Sequence, residues 1–551
     1  MTEPDHLSSR PGPFSKRFGV VLWLALGAAP GSALAALFVF ATGKRVRGWN
    51  RLCAIAADNP DYYARWIARA EPARVARWIA SNPAPAPRAD PIVAIIADAA
   101  LGDAAAQTSA SIRAALGPAT RIVSITQEPT DWNALKQALL GTDQARLLPI
   151  VAGDLVALGL GAVAERLPPG KAACYWDEDR RHAGQRDDAW AKPDWDPLLF
   201  QSHHGLLGAS LLDAKAVLGV WDRWIADNPA LCPAAKLEQL CFLVASEGAL
   251  HVPLILTHRT APAEPPLSRA EPDPAVWPTV SIIIPTKDLP HHLSTCLRGL
   301  ALLEYLGPIE LILIDNGSTD PEALRILAEQ AERPGTRVLR MPGPFNFSHL
   351  NNAAVRIASG AVLCFLNNDV EPLDGQWLSN LVRHALRPDV GAVGAMLLYP
   401  DGSIQHAGVA IGIGGAAGHI QKGTMPDTGT EAHRYIATRR VSAVTAACLV
   451  VRKDRFIAAG EFDEDAFPVA FNDVDLCLRL DAIGLRNLFI AEVRLIHHES
   501  KSRGQDDSPE KQARFARELQ QLQQRWQTQT CQDPWHSPLF SRVSERCLLQ
   551  I

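Results

Sequence analysis

The chain has 551 residues, too many for one ordinary core, so two to four domains are expected. Hydrophobic residues make up 47% and charged residues 21%, which excludes a disordered chain, and a net charge of −5 gives no electrostatic reason to expect a nucleic-acid partner. Ten cysteines lie scattered without CxxC pairs, so no disulfide or zinc framework is visible and a reducing cytoplasm is expected.

Phe18 to Ala41 is uncharged over 24 residues, with Lys16 and Arg17 before it and Lys44, Arg45 and Arg47 after it. The length suffices to cross a bilayer. Basic residues on both sides remove the asymmetry that would orient a span, and Gly27, Pro30 and Gly31 interrupt a helix midway. Three readings stay open: a span, a re-entrant or surface anchor on the inner face of the cytoplasmic membrane, and a buried helix or cleaved signal ending at "GSALAA".

Pro-rich stretches at 82–91 and 259–278 read as linkers. The expected layout is an N-terminal apolar and helical segment (1–85), a middle domain (88–260), a linker (261–278), a C-terminal domain (279–505) and a helical tail (506–551). Within both large blocks, β-rich runs alternate with helical patterns, the signature of an α/β fold with a mainly parallel sheet flanked by helices. In the C-terminal block "TVSIIIPTKD" is a strand, "HHLSTCLRGLALL" a helix, "IELILIDNGSTD" a strand and turn, and "PEALRILAEQAE" a helix with Pro in its first turn. "TRVLRM", "NNAAVRIAS" and "AVLCFLNNDV" continue as strand, helix and strand. Polar residues close each strand, where open α/β sheets bind ligands.

The two blocks read as copies. "PIVAIIADAALGD" parallels "TVSIIIPTKDLPH", "AACYWDED" parallels "VLCFLNND", "AAKLEQLCFLV" parallels "AFNDVDLCLRL", and "VPLILTHR" parallels "EVRLIHHE", in the same order.

Four polar clusters carry chemistry. Asp315, at a strand end, can accept the ring N3–H of uracil or thymine, or simply form an Asx turn. Asn367 and Asp369, two apart in an extended stretch, face together and suit a hard cation, unless the stretch is a plain turn. Asp473 and Asp475 open a helix-like run; one of them can deprotonate a hydroxyl, or both can cap the helix. His497 and His498 can touch metal or phosphate, with Lys501 and Arg503 nearby to balance diphosphate charge. "GIGGAAG" (412–418) lacks the strand-turn-helix context of a dinucleotide loop and reads as a flexible acceptor-side loop.

Through "VSIIIPTKD", "LIDNGSTD", "FNFSHLNNAA", "LNNDVEP", "DGSIQHAGV", "FNDVDLCLRL" and "HHESKSRG", residues 279–504 resemble the inverting family-2 glycosyltransferases of the GT-A fold, rhamnosyltransferase-like members in particular. The middle block resembles them through "YWDED", "KPDWDP" and "ILTHR", as a degenerate tandem copy. The resemblance implies a UDP- or dTDP-sugar donor, a glycan or lipid-linked acceptor, a divalent metal (Mg or Mn) and surface-polysaccharide synthesis. It implies that Pro285, Thr286, Asp315 and Asn316 line the nucleotide site, that Asp369, Asn367 and His497 hold the metal, and that Asp473 is the catalytic base. Asn351, Asn352, Gln405, His406 and Thr445 would surround donor sugar or acceptor. The sequence departs from the pattern at Asn367 for the first Asp of DxD, at Asn472 for Glu, and at Ala446 and Glu461 where glycines are common. In the middle block Asp177 and Asp179 remain, but Leu237 stands where Asp473 does. A nucleotidyltransferase and a non-catalytic sugar-nucleotide-binding scaffold are the rival readings. The first would need a basic loop where "PTKDLPHH" offers one lysine.

Overall fold

A computed structural model describes residues 16–42, 45–84, 92–98, 102–126, 129–140, 145–203, 205–227, 231–261, 271–426, 437–498 and 508–551. Lys501 and Arg503 lie outside the described residues, as does much of the linker at 261–278. Two compact units emerge: one is built mainly from residues 10–266, the other mainly from 267–535.

The N-terminal unit opens with helices Lys16–Ala28, Pro30–Ala41, Arg45–Ala57 and Asp61–Ser81. Pro30 has no N–H to continue the first helix, and Ala29 leaves helical geometry at φ −151° and ψ 86°. The apolar stretch is thereby cut into helices of 13 and 12 residues, each about 20 Å long against a hydrocarbon core of about 30 Å. Among the described residues no helix is long and apolar enough to cross a membrane. Phe18 packs on Phe40 and stacks on Trp49, and Asn59 Nδ2 donates to Leu24 O at 2.9 Å, which fixes the first two helices to those that follow. Trp23 (50% exposed), Leu34 (58%) and Phe38 (70%) are left on the outer surface.

Eight strands follow: β1 (Ile92–Ala97), β2 (Arg121–Ile125), β3 (Arg146–Val151), β4 (Leu155–Val156), β5 (Ala173–His182), β6 (Gln185–Trp190), β7 (Ser210–Asp213) and β8 (Ala249–Arg259). Their order is β2-β1-β3-β7-β5-β8-β4, with β6 paired to β5.

The C-terminal unit holds β9 (Val280–Thr286), β10 (Ile309–Asp315), β11 (Thr336–Arg340), β12 (Val362–Leu366), β13 (Val370–Pro372), β14 (Val390–Leu398), β15 (Ile404–His406), β16 (Val409–Ile411), β17 (Ala417–His419), β18 (Arg439–Arg440), β19 (Cys448–Arg452) and β20 (Arg486–His497). The main sheet runs β11-β10-β9-β12-β19-β14-β20-β13, and β16 and β17 form a separate hairpin. The first four strands are parallel, and β19 and β13 run against their neighbours, so the sheet is mixed. β9 is buried along its whole length, as the near-continuous apolar run of a doubly covered parallel strand requires. Phe365 of β12 packs against Phe456 and Phe462 in the core beneath the strand ends. Glu461, standing where glycine was expected, is forced to φ +58°. The tail is helical only over Pro509–Trp526; residues 527–551 are irregular.

Candidate functional site

A cavity of about 510 Å³ opens in the C-terminal unit above the ends of the parallel strands. Pro285, Thr286 and Asn316 line it, as do Asn367, Asn368 and Asp369, and Gln405, Thr445, Asp473 and His497.

β12 delivers the acidic stretch. After Leu366 the chain leaves the sheet, Asn367 N–H donates to Ala447 O at 2.9 Å, and Asn368 Nδ2 donates to Thr286 Oγ1 at 3.0 Å. β13 then pairs with β20 so that Val370 faces His497. That register brings Asp369 Oδ1 within 3.1 Å of His497 Nε2, while His497 Nδ1 lies 2.7 Å from Gln405 Oε1. Burial alone would raise the Asp369 carboxyl, but the hydrogen bond and charge of His497 outweigh it and hold the group below the usual carboxylate range. His498 points elsewhere, with Nε2 2.7 Å from Glu371 Oε2.

The paired acids at the start of helix Asn472–Ala482 divide their work. Asp473 lines the cavity, half-buried, its Oδ2 accepting from Ala446 N–H and its Oδ1 from Val474 N–H, both at 2.9 Å. Asp475 is fully buried and accepts from Arg479 Nε at 2.8 Å and from Arg525 Nη1 and Trp526 Nε1 at 2.9 Å. It ties the C-terminal helix down and has no room to meet a substrate.

Several expected residues do not line this cavity. Asp315 is buried behind the wall: Oδ1 accepts from Ser318 N–H at 2.7 Å, an Asx-type turn, and Oδ2 pairs with Arg340. Asn352 spends both ends of its amide on the backbone of Phe462, and Asn351 Nδ2 donates to Phe347 O within its own helix. The Asn352 amide locks this helix to the loop at Phe462, which explains its type without a ligand, whereas Asn351 Oδ1 is buried without a hydrogen-bond partner. His406 is fully buried beneath His419, which does reach the cavity. Lys511 and Arg514 also line it, from the helix Pro509–Trp526. Their signal was a basic stripe at helical spacing on an amphipathic helix, a pattern that more often marks a solvated face.

Strand order revises the internal pairing of motifs. Three parallel strands in the N-terminal sheet, and four in the C-terminal one, are followed by two reversals, a parallel neighbour and a short antiparallel edge strand. Matched this way, β3–Ala152–Gly153–Asp154–β4 stands where β12–Asn367–Asn368–Asp369–β13 does, and Leu155 faces His258 as Val370 faces His497. "YWDED" lies on β5, the counterpart of β14, so Asp177 and Asp179 do not correspond to the Asn367–Asp369 stretch.

All these N-terminal acids already have cations. Asp154 Oδ2 lies 3.5 Å from Arg259 Nε. Asp177 meets His251 at 2.8 Å, and Glu178 meets Lys192 at 2.9 Å and Arg180 at 2.7 Å. Asp179 accepts from Arg186 Nε and Tyr63 Oη, both at 2.6 Å, and meets His258 at 2.7 Å. Glu238, beside Leu237, accepts from the backbone N–H groups of Leu206 and Leu207. No carboxylate in this set is left to take a proton from a ligand.

Residues 281–442 match the family described as Glycosyl transferase family 2. Over 416 residues the chain is 37% identical to uncharacterized protein y4gI of Sinorhizobium fredii, covering 67% of this chain and 45% of that protein. Over 239 residues it is 45% identical to O-antigen biosynthesis protein RfbC of Myxococcus xanthus, covering 42% and 18% respectively. It is 28% identical over 235 residues to the N-acetylglucosaminyl-diphospho-decaprenol L-rhamnosyltransferase of Mycobacterium tuberculosis, covering 39% and 74%. The chain thus spans less than half the length of the first two relatives. A mannosyltransferase of Pyrobaculum calidifontis, solved with GDP-Man and Mn2+, superposes with a TM-score of 0.35 at 18% identity, covering 49% of this chain and 70% of that one. With its matched domain in the C-terminal half, the chain belongs to Glycosyl transferase family 2.

Proposed function

We propose that the C-terminal unit transfers a sugar from a nucleoside diphosphate, UDP- or dTDP-linked, to a glycan or lipid-linked acceptor, with inversion, in surface-polysaccharide synthesis. The observation that carries this reading is the presence of Asp473 and the Asp369–His497 pair in one cavity. Asp473 takes the proton of the acceptor hydroxyl as that oxygen attacks the anomeric carbon. Attack on the face opposite the leaving diphosphate inverts the configuration. Pro285, Thr286 and Asn316 form the wall for the nucleotide, and Lys511 and Arg514 add positive charge to the same cavity.

Among the described residues no three His, Cys, Asp or Glu side chains gather at metal-binding spacing. The carboxylate of Asp369 and the imidazole of His497, 3.1 Å apart, are donors that suit a divalent ion. Asp369 and His497, with the amide of Asn367, would hold it, and its charge would offset that of the departing diphosphate. Asp369→Ala is therefore expected to abolish metal-dependent transfer. Hydrolysis of a UDP- and dTDP-sugar panel, with and without Mg or Mn, checks both statements. Full activity of the variant in either metal overturns the assignment.

The N-terminal helices supply a surface anchor in the same reading. Trp23, Leu34 and Phe38 are exposed on an apolar stretch bounded in sequence by basic residues, which suits an anionic bilayer surface. Replacing the three by serine is expected to lower binding to phosphatidylglycerol vesicles about 10²-fold, given the worth of buried apolar side chains, and to leave transfer to a soluble acceptor intact. Equal vesicle binding by the variant would sink the idea.

A further inference from the structure

Two residues before Asp473, Phe471 breaks two local rules at once. It is the N-cap of the helix Asn472–Ala482, where a side-chain oxygen is favoured, and it makes no capping hydrogen bond. Its backbone sits at φ +61° and ψ 8°, the left-handed region that suits glycine and strains a bulky side chain. Asparagine or glycine would satisfy both demands. A ring kept against both preferences needs a reason outside local structure, and strained positions of this kind collect at functional sites.

The ring borders the cavity that holds Asp473, next to Val469 and Ala470. It is half-buried and packs on the edge of the core, not within it. The exposed Phe515, on the helix Pro509–Trp526, props it with ring centroids 5.4 Å apart and planes tilted by 42°. Glu518, on the same helix, accepts from Ala470 N–H and so pins that helix to this wall. An apolar surface with a flat ring in it therefore adjoins the carboxylate.

A pyranose carries hydroxyls around its rim and C–H groups on its faces. Hydrogen bonds meet the rim. A flat aromatic ring meets a face, because apolar area leaves water and the negative face of the ring attracts polarised C–H groups. Cα atoms two residues apart lie within about 7.6 Å. A sugar with one hydroxyl at the Asp473 carboxylate thus has its own ring within reach of Phe471. We propose that Phe471 is the platform of the acceptor sugar: it stacks on a C–H face of the pyranose whose hydroxyl Asp473 deprotonates, and Phe515 holds its tilt. The accepting group is then a saccharide ring, not a phosphate or a simple lipid alcohol. The proposal rests on the transferase reading given above.

Variants of the full chain test it, with methyl pyranosides of glucose, galactose, mannose, rhamnose and N-acetylglucosamine as acceptors. Phe471→Leu keeps apolar bulk and loses the flat face; it should raise the acceptor KM about tenfold, with a smaller effect on kcat. Phe471→Gly suits the backbone and should keep the chain folded while raising that KM at least as much. Phe471→Tyr should restore the wild-type value. Unchanged acceptor KM in both the leucine and glycine variants overturns the platform. A raised KM for donor hydrolysis, which needs no acceptor sugar, would put the donor there and overturn the acceptor assignment. Binding is followed separately, with UDP and Mn present, by NMR saturation transfer from aromatic protons to the C–H protons of the same pyranosides. The signal should favour one face of the sugar and fall in Phe471→Gly. No signal with any pyranoside, or an equal signal in Phe471→Gly, overturns the proposal; the second result would assign the contact to another ring, such as Phe345 or Phe347 of the same cavity. A signal that depends on Phe471 in a chain that transfers nothing would refute the transferase reading and leave the stacking surface standing.

Discussion

Replacing Asp473 by asparagine is expected to cut turnover about 10²-fold or more, with donor affinity nearly unchanged. The amide keeps the shape of the side chain, but its nitrogen lone pair is delocalised into the carbonyl and its oxygen is far too weak a base to take the proton. In the wild-type chain both carboxylate oxygens accept backbone N–H bonds, from Ala446 and Val474. Asparagine can satisfy one of these, so a small loss of local stability accompanies the loss of chemistry. Single-turnover rates and donor binding, measured separately, tell the two apart. Asp475→Asn is the useful contrast. It weakens the hold of Arg479, Arg525 and Trp526 on one buried carboxylate and is expected to loosen the C-terminal helix. A variant at Asp473 that loses donor affinity and keeps its turnover would show that the carboxylate has another task.

The second large effect belongs to the N-terminal unit. Asp177→Ala with Asp179→Ala is expected to destabilise that unit by about 3–5 kcal/mol, because two buried carboxylates that hold His251, Lys192 N–H, Tyr63, His258 and Arg186 are lost, although Arg186 keeps its pair with Glu71. The chemical step at Asp473 should be unaffected in chains that remain folded. Urea unfolding followed by tryptophan emission checks the first statement, and transfer at low urea checks the second. Transfer is measured with Asp369 intact, and the unfolding is repeated in an Asp369→Ala background with added Mn, where a metal held by the N-terminal acids would raise the midpoint of the unit that carries them. A metal-dependent rise that vanishes in the double variant would mean that Asp177 and Asp179 are ligands.

The sequence made the C-terminal sheet readable because its strands are apolar runs that end in polar residues, and Asp369 and Asp473 sit at such ends. Asp475 was harder to separate from Asp473. Its partners Arg525 and Trp526 lie far along the chain, and no local pattern announces them. Asn352 was placed near the substrate for the same reason, since the backbone of Phe462 that satisfies it is remote in sequence. "AACYWDED" invited pairing with "VLCFLNND" because both put acids after apolar residues. Only the order of strands shows that the two-residue β4 after Asp154 matches β13. The apolar length of 18–41 suggested a span, and the break at Pro30 turned it into two short helices.

Arg259 carries a historical consequence. If the two sheets descend from one ancestor, its guanidinium now stands beside the counterpart of Asp369 and also 3.3 Å from Glu178. Restoring a carboxylate at Leu237 would not rebuild a working site, because a fixed positive charge already occupies the ground a metal would need. Removing Arg259 first would strand the buried Asp154, while Glu178 keeps Lys192 and Arg180, at a cost that is a sizeable part of a domain's net stability. Each single reversal is therefore worse than the present state. On that descent the change would work as a ratchet: a lineage carrying this arrangement could vary the N-terminal half in many directions, but a path to a second transferase centre would run uphill at its first step.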